Sequence, residues 1–191
     1  TNDEFEIAKK HNDLIFISPS NISTEFSNNI ISIGISLESQ LLALTNFIKK
    51  QKKTKTVVMY PKNQYLKLIE KQLKNLNLSN LKTFIYSPNP EILTGQIEEL
   101  TNYTQRKKNL ELRKKMFEDK EDEESVKELE RLDQLYTLGK VNFDSVIIID
   151  FGNSLKSVLT SLVYTDVDQN NVTFTTVNQW FDESIFYENT I

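Results

Sequence analysis

Apolar residues along this chain fall into short β-branched runs and longer segments with helical spacing. The short runs are typical of strands buried on both faces, and the longer segments have the 3.6-residue repeat of amphipathic helices. Four runs predict the strands of one sheet: Lys55–Tyr60, Leu81–Tyr86, Ser145–Asp150 and Val172–Val177. Because helical segments, and no hairpin turn dipeptide, separate these runs, we expect a parallel sheet with right-handed crossovers.

The predicted helices have recognisable start signals. Ser36 is an N-cap residue for a helix over Leu37 to about Lys50, and Asn89-Pro90 supplies an N-cap followed by a proline at the first helical position. A further helix is predicted from Asn63 to about Leu76. The helix after Ser36 is expected to bury five apolar side chains: Leu41, Leu42, Leu44, Phe47 and Ile48.

One connection of the predicted sheet is far longer than a crossover helix requires. It runs from Pro90 to about Gly139, with a basic arm at Arg106, Lys107 and Lys108 and an acidic arm that ends at Glu124. We favour a protruding helical pair whose opposite charges satisfy each other across the turn, because charge runs are usually solvated faces. The alternative is a docking surface for a partner, in which the three basic residues make the contact.

Composition excludes several classes of function. With 191 residues and 38% hydrophobic residues, the chain can bury a proper core. Its net charge of −4 gives no electrostatic argument for nucleic-acid binding. The absence of Cys and the single His exclude thiol chemistry and a zinc site, and His11 in a polar lead-in is a poor triad member. The four glycines are too scattered to form a phosphate-binding loop, so we expect no cofactor. No apolar run is long enough to span a membrane, so we expect no membrane-spanning segment.

Asp150-Phe151-Gly152 copies the metal-binding triplet of protein kinases. The other kinase motifs are missing from the sequence, which makes a bare three-residue match weak. The simpler interpretation is that Asp150 ends a buried strand, Gly152 permits a tight turn, and Asn153 or Ser154 caps the next helix. Hydrogen bonding of Asp150 to this loop and contact of Asp150 with a ligand are equally compatible with the pattern.

Polar and aromatic side chains recur where the predicted strands end. They are Tyr60, Ser87, Asp150, Asn178 and Trp180. In open parallel sheets, ligands bind outside the carboxyl ends of the strands. Each residue alone is ordinary turn or packing chemistry, but as a set they predict a ligand-binding edge for a small molecule or a protein.

Several sequence blocks resemble the second half of a type I periplasmic binding protein, the leucine-binding-protein-like fold. Within that fold the chain is similar to the penicillin-binding protein activator branch of Gram-negative envelope lipoproteins. The resemblance covers nearly the whole chain and is carried by four blocks: Ile15–Ser20, Ser39–Pro61, Tyr103–Lys114 and Phe143–Asp182. The last block, which contains Asp150-Phe151-Gly152 and Asn178-Gln179-Trp180-Phe181-Asp182, is the one specific to this branch.

The resemblance implies an α/β three-layer sandwich with a central parallel sheet and a charged helical insertion at about 104–138. Residues 36–191 would be the Rossmann-like second lobe, and residues 1–35 a remnant of the first lobe and the hinge crossing. It implies a periplasmic, non-enzymatic lobe that binds a small amino-acid-like solute in an interlobe cleft, with no cofactor. The alternative is an interaction module that activates a peptidoglycan synthase and holds no small ligand. The family's lipidated cysteine is missing from this sequence.

The first 35 residues carry two further extended segments, Leu14–Ser18 and Ile30–Ile35. In the resembled fold these would pair with the sheet of the first lobe, most of which we expect to be absent here. An unpaired apolar strand edge invites self-association. We therefore expect residues 1–35 to pack against a second copy, giving a homodimer, or to be poorly ordered.

Overall fold

The computed structural model describes residues 7–8, 10–11, 13–18, 28–78 and 81–177. Within these ranges the strands are β1 (Phe16–Ser18), β2 (Ile30–Ser32), β3 (Thr56–Pro61), β4 (Lys82–Tyr86), β5 (Ser145–Ile148) and β6 (Thr173–Thr176). The helices are α1 (Leu37–Lys50), α2 (Leu66–Asn75), α3 (Pro90–Thr101), α4 (Tyr103–Lys115), α5 (Glu123–Asp133) and α6 (Gly152–Tyr164).

The main sheet has four strands in the order β4-β3-β5-β6, and all three pairings are parallel. Met59 in β3 lies opposite Phe84 on one side and Ile148 on the other, which fixes the register at the centre of the sheet. The prediction of an α/β fold with a parallel sheet flanked by helices is confirmed. Such a sheet brings the carboxyl ends of its strands to one edge.

Two hydrophobic cores lie against the main sheet. One contains Met59 and Ile148 together with Leu93 of α3 and Leu155 of α6, all 1% exposed or less. The other contains Val58 and Ile147 with residues of α1 and α2. Successive strand residues therefore enter different cores, as the period of two in a strand requires. Burying each such side chain contributes about 1.5–3 kcal/mol, and the arrangement is compatible with a three-layer sandwich.

The helix boundaries follow the start signals except at α2 and α6. Ser36 caps α1 by accepting a hydrogen bond from the Ser39 amide, and Asn89 caps α3 in the same way from the Glu91 amide. The prediction that α2 begins at Asn63 is wrong, because the Asn63 side chain accepts from the Tyr65 amide in a tight turn and the helix begins at Leu66. The predicted burial of Leu42 and Phe47 is also wrong: both are more than 40% exposed.

The N-terminal strands form a separate sheet. β1 and β2 pair in parallel with each other, and this two-stranded sheet is distinct from the main one. Ile17 in β1 is 65% exposed, and Ile15 and Ile33, each next to one of these strands, are 74% and 66% exposed. Parallel sheets usually have both faces covered by other elements. The exposed isoleucine side chains of this sheet are therefore unusual. Packing of this segment against a second copy stays a prediction.

The long connection forms the predicted helical pair, α4 and α5. Lys114 Nζ lies 2.7 Å from Asp133 Oδ1, and Arg113 Nη2 lies 4.0 Å from Glu128 Oε1. The opposite charges of the two helices therefore do meet, as the favoured interpretation expects. Their acidic partners, Glu128 and Asp133, lie further along α5 than the acidic arm, which ends in the first turn of this helix.

Arg106 of this pair is a structural residue. Its side chain is 7% exposed and donates four hydrogen bonds of 2.7–3.1 Å, to the carbonyl oxygens of Gly139, Thr165 and Asp166 and to Thr137 Oγ1. Its Nη2 also lies 3.5 Å from Asp166 Oδ2. Burial lowers the pKa of Arg106, while the Asp166 carboxylate acts in the opposite direction. The structure thus takes Arg106 out of the predicted partner-binding set, whereas Lys107 and Lys108 are exposed.

Candidate functional site

Asp150 lies at the carboxyl edge of the main sheet, two residues beyond the end of β5. Its residue exposure is 3%, and among the described residues three groups donate hydrogen bonds to its carboxylate. Tyr86 Oη at the end of β4 and Ser154 Oγ in α6 each donate to Oδ2 at 2.5 Å, and the Phe151 amide donates to Oδ1 at 2.8 Å. Asp150 therefore joins β4, β5 and α6, in agreement with the loop-bonding interpretation of its sequence motif.

Tyr86 is the buried partner in this cluster. It is 0% exposed, and burial, with a further contribution from the Asp150 carboxylate, raises its pKa far above its ordinary value of 10.0. The phenol consequently keeps its proton at any physiological pH and acts as a donor. This donor helps to hold the Asp150 side chain in place at the end of the sheet.

The turn after Asp150 uses Gly152 in the left-handed region, with φ of +58°, as the sequence predicts. The prediction that Asn153 or Ser154 caps the following helix is wrong. The N-cap of α6 is Phe151, which makes no side-chain capping bond. Ser154 lies one turn inside the helix, and its hydroxyl donates to Asp150 instead. The Asp150 carboxylate therefore lies beside the α6 N-terminus, where a negative charge is favourable.

A cavity of about 270 Å³ opens beside Asp150, between the carboxyl edge of the sheet and the N-terminal ends of α1, α2 and α6. Its apolar wall consists of Leu37, Leu68, Ile69, Ile149 and Val177, and the rings of Tyr65 and Phe151 also line it. These two rings pack edge to face with their centroids 6.1 Å apart. Drug-sized ligands occupy pockets of about 300–1,000 Å³, so this cavity suits a smaller solute.

The polar part of the cavity lining is rich in hydrogen-bond acceptors. It includes the carboxylates of Glu38 and Asp150 and the side chains of Asn63 and Gln72. The Asn63 carbonyl oxygen is already occupied by the Tyr65 amide. Gln72 Oε1 is buried and has no hydrogen-bond partner within the part of the chain that the structure describes, which is costly for a polar atom and unusual among native side chains.

The structure brings together only part of the predicted ligand-binding edge. Asp150 lines the cavity. Tyr60 is 2% exposed and belongs to the core beneath α1 and α2, where burial raises its pKa. Ser87 lies outside the cavity lining, and its amide donates to Gln96 Oε1 at 2.7 Å. Asn178 and Trp180 lie outside the described residues.

Sequence reasoning missed the side chains that the helices contribute to the cavity. Glu38 in the first turn of α1, Tyr65 at the N-cap of α2 and Gln72 within α2 all line it. An acidic residue two positions after an N-cap is a signal that could have placed Glu38 at the edge, since helix N-termini face the carboxyl edge of such sheets. No local pattern distinguishes Gln72 from the other polar residues of its helix.

Comparison of the chain with protein-family models, curated proteins and solved structures gave no match. The described part of the chain contains no group of three or more His, Cys, Asp or Glu residues that could hold a metal ion. Over the same residues, every helix is too short or too polar to cross a lipid bilayer.

Proposed function

We propose that this chain is a non-enzymatic, periplasmic-binding-protein-like lobe that binds a small, amino-acid-like solute at the carboxyl edge of its parallel sheet. The observation that carries the proposal is the cavity of about 270 Å³ beside Asp150. It lies where open α/β sheets bind their ligands, and it combines an apolar wall with a few polar groups. The resemblance to type I periplasmic binding proteins supports the same assignment, with the periplasm as its compartment.

The Asp150 cluster has a supporting role in this proposal. Its three donors fix the end of β5 against β4 and α6, so the loop that carries Phe151 keeps one shape beside the cavity. A site held in one conformation binds a small solute with a lower entropy cost than a flexible one. The proposal assigns no bond-making step to these residues.

Filling the cavity is expected to abolish solute binding. A screen of the proteinogenic amino acids by thermal unfolding should find a solute that raises the Tm of the wild-type chain. At a concentration of 100 Kd the stabilisation is about 2.7 kcal/mol. For a chain of this size that shift is about 5–10 °C. The variant Leu68→Trp places an indole in the cavity wall and should lose the shift.

The matched control is Lys71→Trp, which adds the same ring to an exposed position of α2 outside the cavity lining. It should keep the full shift. Two results would count against the proposal: a screen in which no solute raises the Tm of the wild-type chain, or equal shifts in the wild type and Leu68→Trp.

A second candidate function is docking to a peptidoglycan synthase, which the outer face of α4 favours. Lys107, Lys108 and Lys115 are exposed on this helix, and the apolar residues Leu112 and Met116 beside them are 52% and 61% exposed. Lys108, Leu112 and Met116 are spaced four residues apart, so they form one stripe, opposite the buried side chains of Arg106 and Leu110. Mixed basic and apolar surface suits an acidic partner.

Charge reversal tests this second function without disturbing the fold. The double variant Lys107→Glu, Lys108→Glu should weaken binding to a peptidoglycan synthase about tenfold or more, since like charges across an interface are unfavourable. Pull-down and surface plasmon resonance measure the effect. Arg106 must be left intact because its guanidinium is buried. The control reverses Lys49 and Lys50 at the exposed end of α1, and binding that survives the α4 reversal unchanged would eliminate this function.

A further inference from the structure

We infer that the outer face of α4 is a self-association surface, on which a second copy of this chain pairs in antiparallel orientation about a two-fold axis near Arg113. This interface is separate from the solute cavity, so it goes beyond the function proposed for that cavity. Three properties of the face carry it: its exposure, the order of the charges along it, and the apolar residues between those charges.

The outer face of α4 and of the turn that follows it is open to solvent. Its exposed charged residues are Lys107, Lys108, Glu111, Lys115, Glu118 and Asp119. Their helical spacing puts them on the half of the helix opposite the buried Arg106 and Leu110. The Glu118 amide donates to the Lys114 carbonyl at 3.1 Å, so helical bonding extends the face past the end of α4. None of the six has an ion-pair partner among the described residues.

The signs of these charges reverse about position 113. Residues at equal distances before and after this position carry opposite charges, in three pairs: Lys107 with Asp119, Lys108 with Glu118, and Glu111 with Lys115. When two identical helices lie antiparallel about a two-fold axis at this position, each residue of a pair faces its oppositely charged partner in the other copy. Symmetry forms every pair twice, so charges of both signs are matched along the whole face.

The residue at the axis does not disturb this match. Arg113 is turned toward α5, where its Nη2 lies 4.0 Å from Glu128 Oε1. Its guanidinium also lies over the Phe117 ring, 4.6 Å from the centroid. The two Arg113 side chains of a pair of copies would therefore point away from each other, and no like charges meet at the centre of the interface.

Two apolar side chains lie between the charged ends of this face. Leu112 and Met116 are 52% and 61% exposed and stand one helical turn apart. In the antiparallel arrangement they come close to the axis, where they cover the same two side chains of the other copy. An apolar centre with a charged rim is the usual composition of a protein interface. The surface is small, so we expect a transient pair that buries less than about 1,200 Å².

A second copy is the partner that this order of charges fits. A partner that is acidic throughout would match the lysines of the face but repel Glu111, Glu118 and Asp119, and a basic partner would do the reverse. A surface with the same two signs in reverse order satisfies both, and the chain itself has one. A peptidoglycan synthase that docked to the lysines would compete with this pairing, because both would cover α4.

Sedimentation velocity of the 191-residue chain measures the self-association. At concentrations up to about 0.5 mM, where mass action populates weak complexes, the wild type should show a monomer–dimer equilibrium. Raising the NaCl concentration from about 0.05 M to about 0.5 M should increase the dissociation constant at least about tenfold, because salt screens exposed charges. An association through the exposed isoleucines of β1 and β2 would not weaken in this way.

Two variants with complementary charge reversals test the pairing directly. One combines Lys107→Glu with Lys108→Glu, and the other combines Glu118→Lys with Asp119→Lys. Each should raise the dissociation constant at least about tenfold, because symmetry puts every changed residue in the interface twice. An equimolar mixture of the two variants should form dimers again, since each reversed end then faces an end of the opposite sign.

The control combines Lys49→Glu with Lys50→Glu at the exposed end of α1, which changes the net charge by the same amount and should leave the equilibrium as in the wild type. Dimers restored by mixing support the inference, because a variant that had merely unfolded could not be repaired by the other. A wild-type chain that stays monomeric over the whole concentration range overturns it. A dimer that survives both reversals also overturns it and assigns self-association to another surface. The amino-acid screen on Leu68→Trp decides the solute-binding function separately.

Discussion

Replacing Arg106 with leucine is expected to lower the free energy of unfolding by about 3–5 kcal/mol, the loss typical of removing one partner from a buried charged network. The variant leaves four acceptors without their donor: the carbonyl oxygens of Gly139, Thr165 and Asp166 and the hydroxyl of Thr137. The Asp166 carboxylate also loses its counter-charge, but its side chain is 33% exposed and water compensates part of that loss. The unsatisfied carbonyl oxygens therefore dominate the effect.

Urea unfolding of three variants separates this role from surface charge. Arg106→Lys keeps the charge but cannot reach several acceptors at once, so it should lose nearly as much stability as Arg106→Leu. Lys107→Leu, at the next and exposed position, should change stability by no more than about 0.5 kcal/mol. Equal midpoints for Arg106→Leu and Lys107→Leu would show that Arg106 does not hold the insertion to the rest of the fold.

Replacing Asp150 with alanine is expected to cost about 3 kcal/mol of stability. The buried Tyr86 hydroxyl loses its acceptor, and each such unsatisfied group costs about 1–3 kcal/mol. The Ser154 hydroxyl and the Phe151 amide lose the same acceptor but lie closer to solvent, so they add less. Thermal and urea unfolding measure the effect, with Asp119→Ala in the exposed turn after α4 as the control, expected within about 0.5 kcal/mol of the wild type.

A double-mutant cycle with Tyr86→Phe isolates the contact itself. Once Asp150 is alanine, removal of the Tyr86 hydroxyl should no longer destabilise the protein, because the hydroxyl then has nothing to donate to. The coupling between the two positions should exceed about 1 kcal/mol, within the range for residues in one hydrogen-bonded network. Additive effects of the two substitutions would contradict the geometry in which Tyr86 Oη donates to Asp150 Oδ2.

The sheet was predictable from the sequence because its strands are local patterns. Val57–Met59 and Val146–Ile148 are continuous apolar runs, which are typical of strands buried on both faces. The starts of α1 and α3 were predictable for a similar reason, since Ser36 and Asn89 act within three residues of their own position. Two helix starts were misplaced. The Asn63 side chain accepts from the Tyr65 amide in a turn before α2. The Ser154 hydroxyl donates to the Asp150 carboxylate instead of capping α6, and Asn153 does not cap it either.

The candidate site was less predictable because it depends on how helices lie over the sheet. Asp150 was identified from its position at a strand end, but Glu38 and Gln72 reach the cavity only through the packing of α1 and α2. Arg106 was misread as part of a basic surface. Its spacing of four residues from the buried Leu110 marks it as an inward position, and that periodicity outweighs the charge run in which it stands.

The strand order β4-β3-β5-β6 divides the main sheet at its centre into two sequence-continuous halves. β3 and β4 precede the helical pair, β5 and β6 follow it, and Thr56 and Ser145 bond across the division although 89 positions separate them. A backbone cut in the exposed turn between α4 and α5 would thus release two complementary fragments, each with one half of the sheet. Their reassociation would depend on the pairing of β3 with β5 and on the two flanking cores. In the intact chain the helical pair connects the two halves covalently, so their assembly is intramolecular.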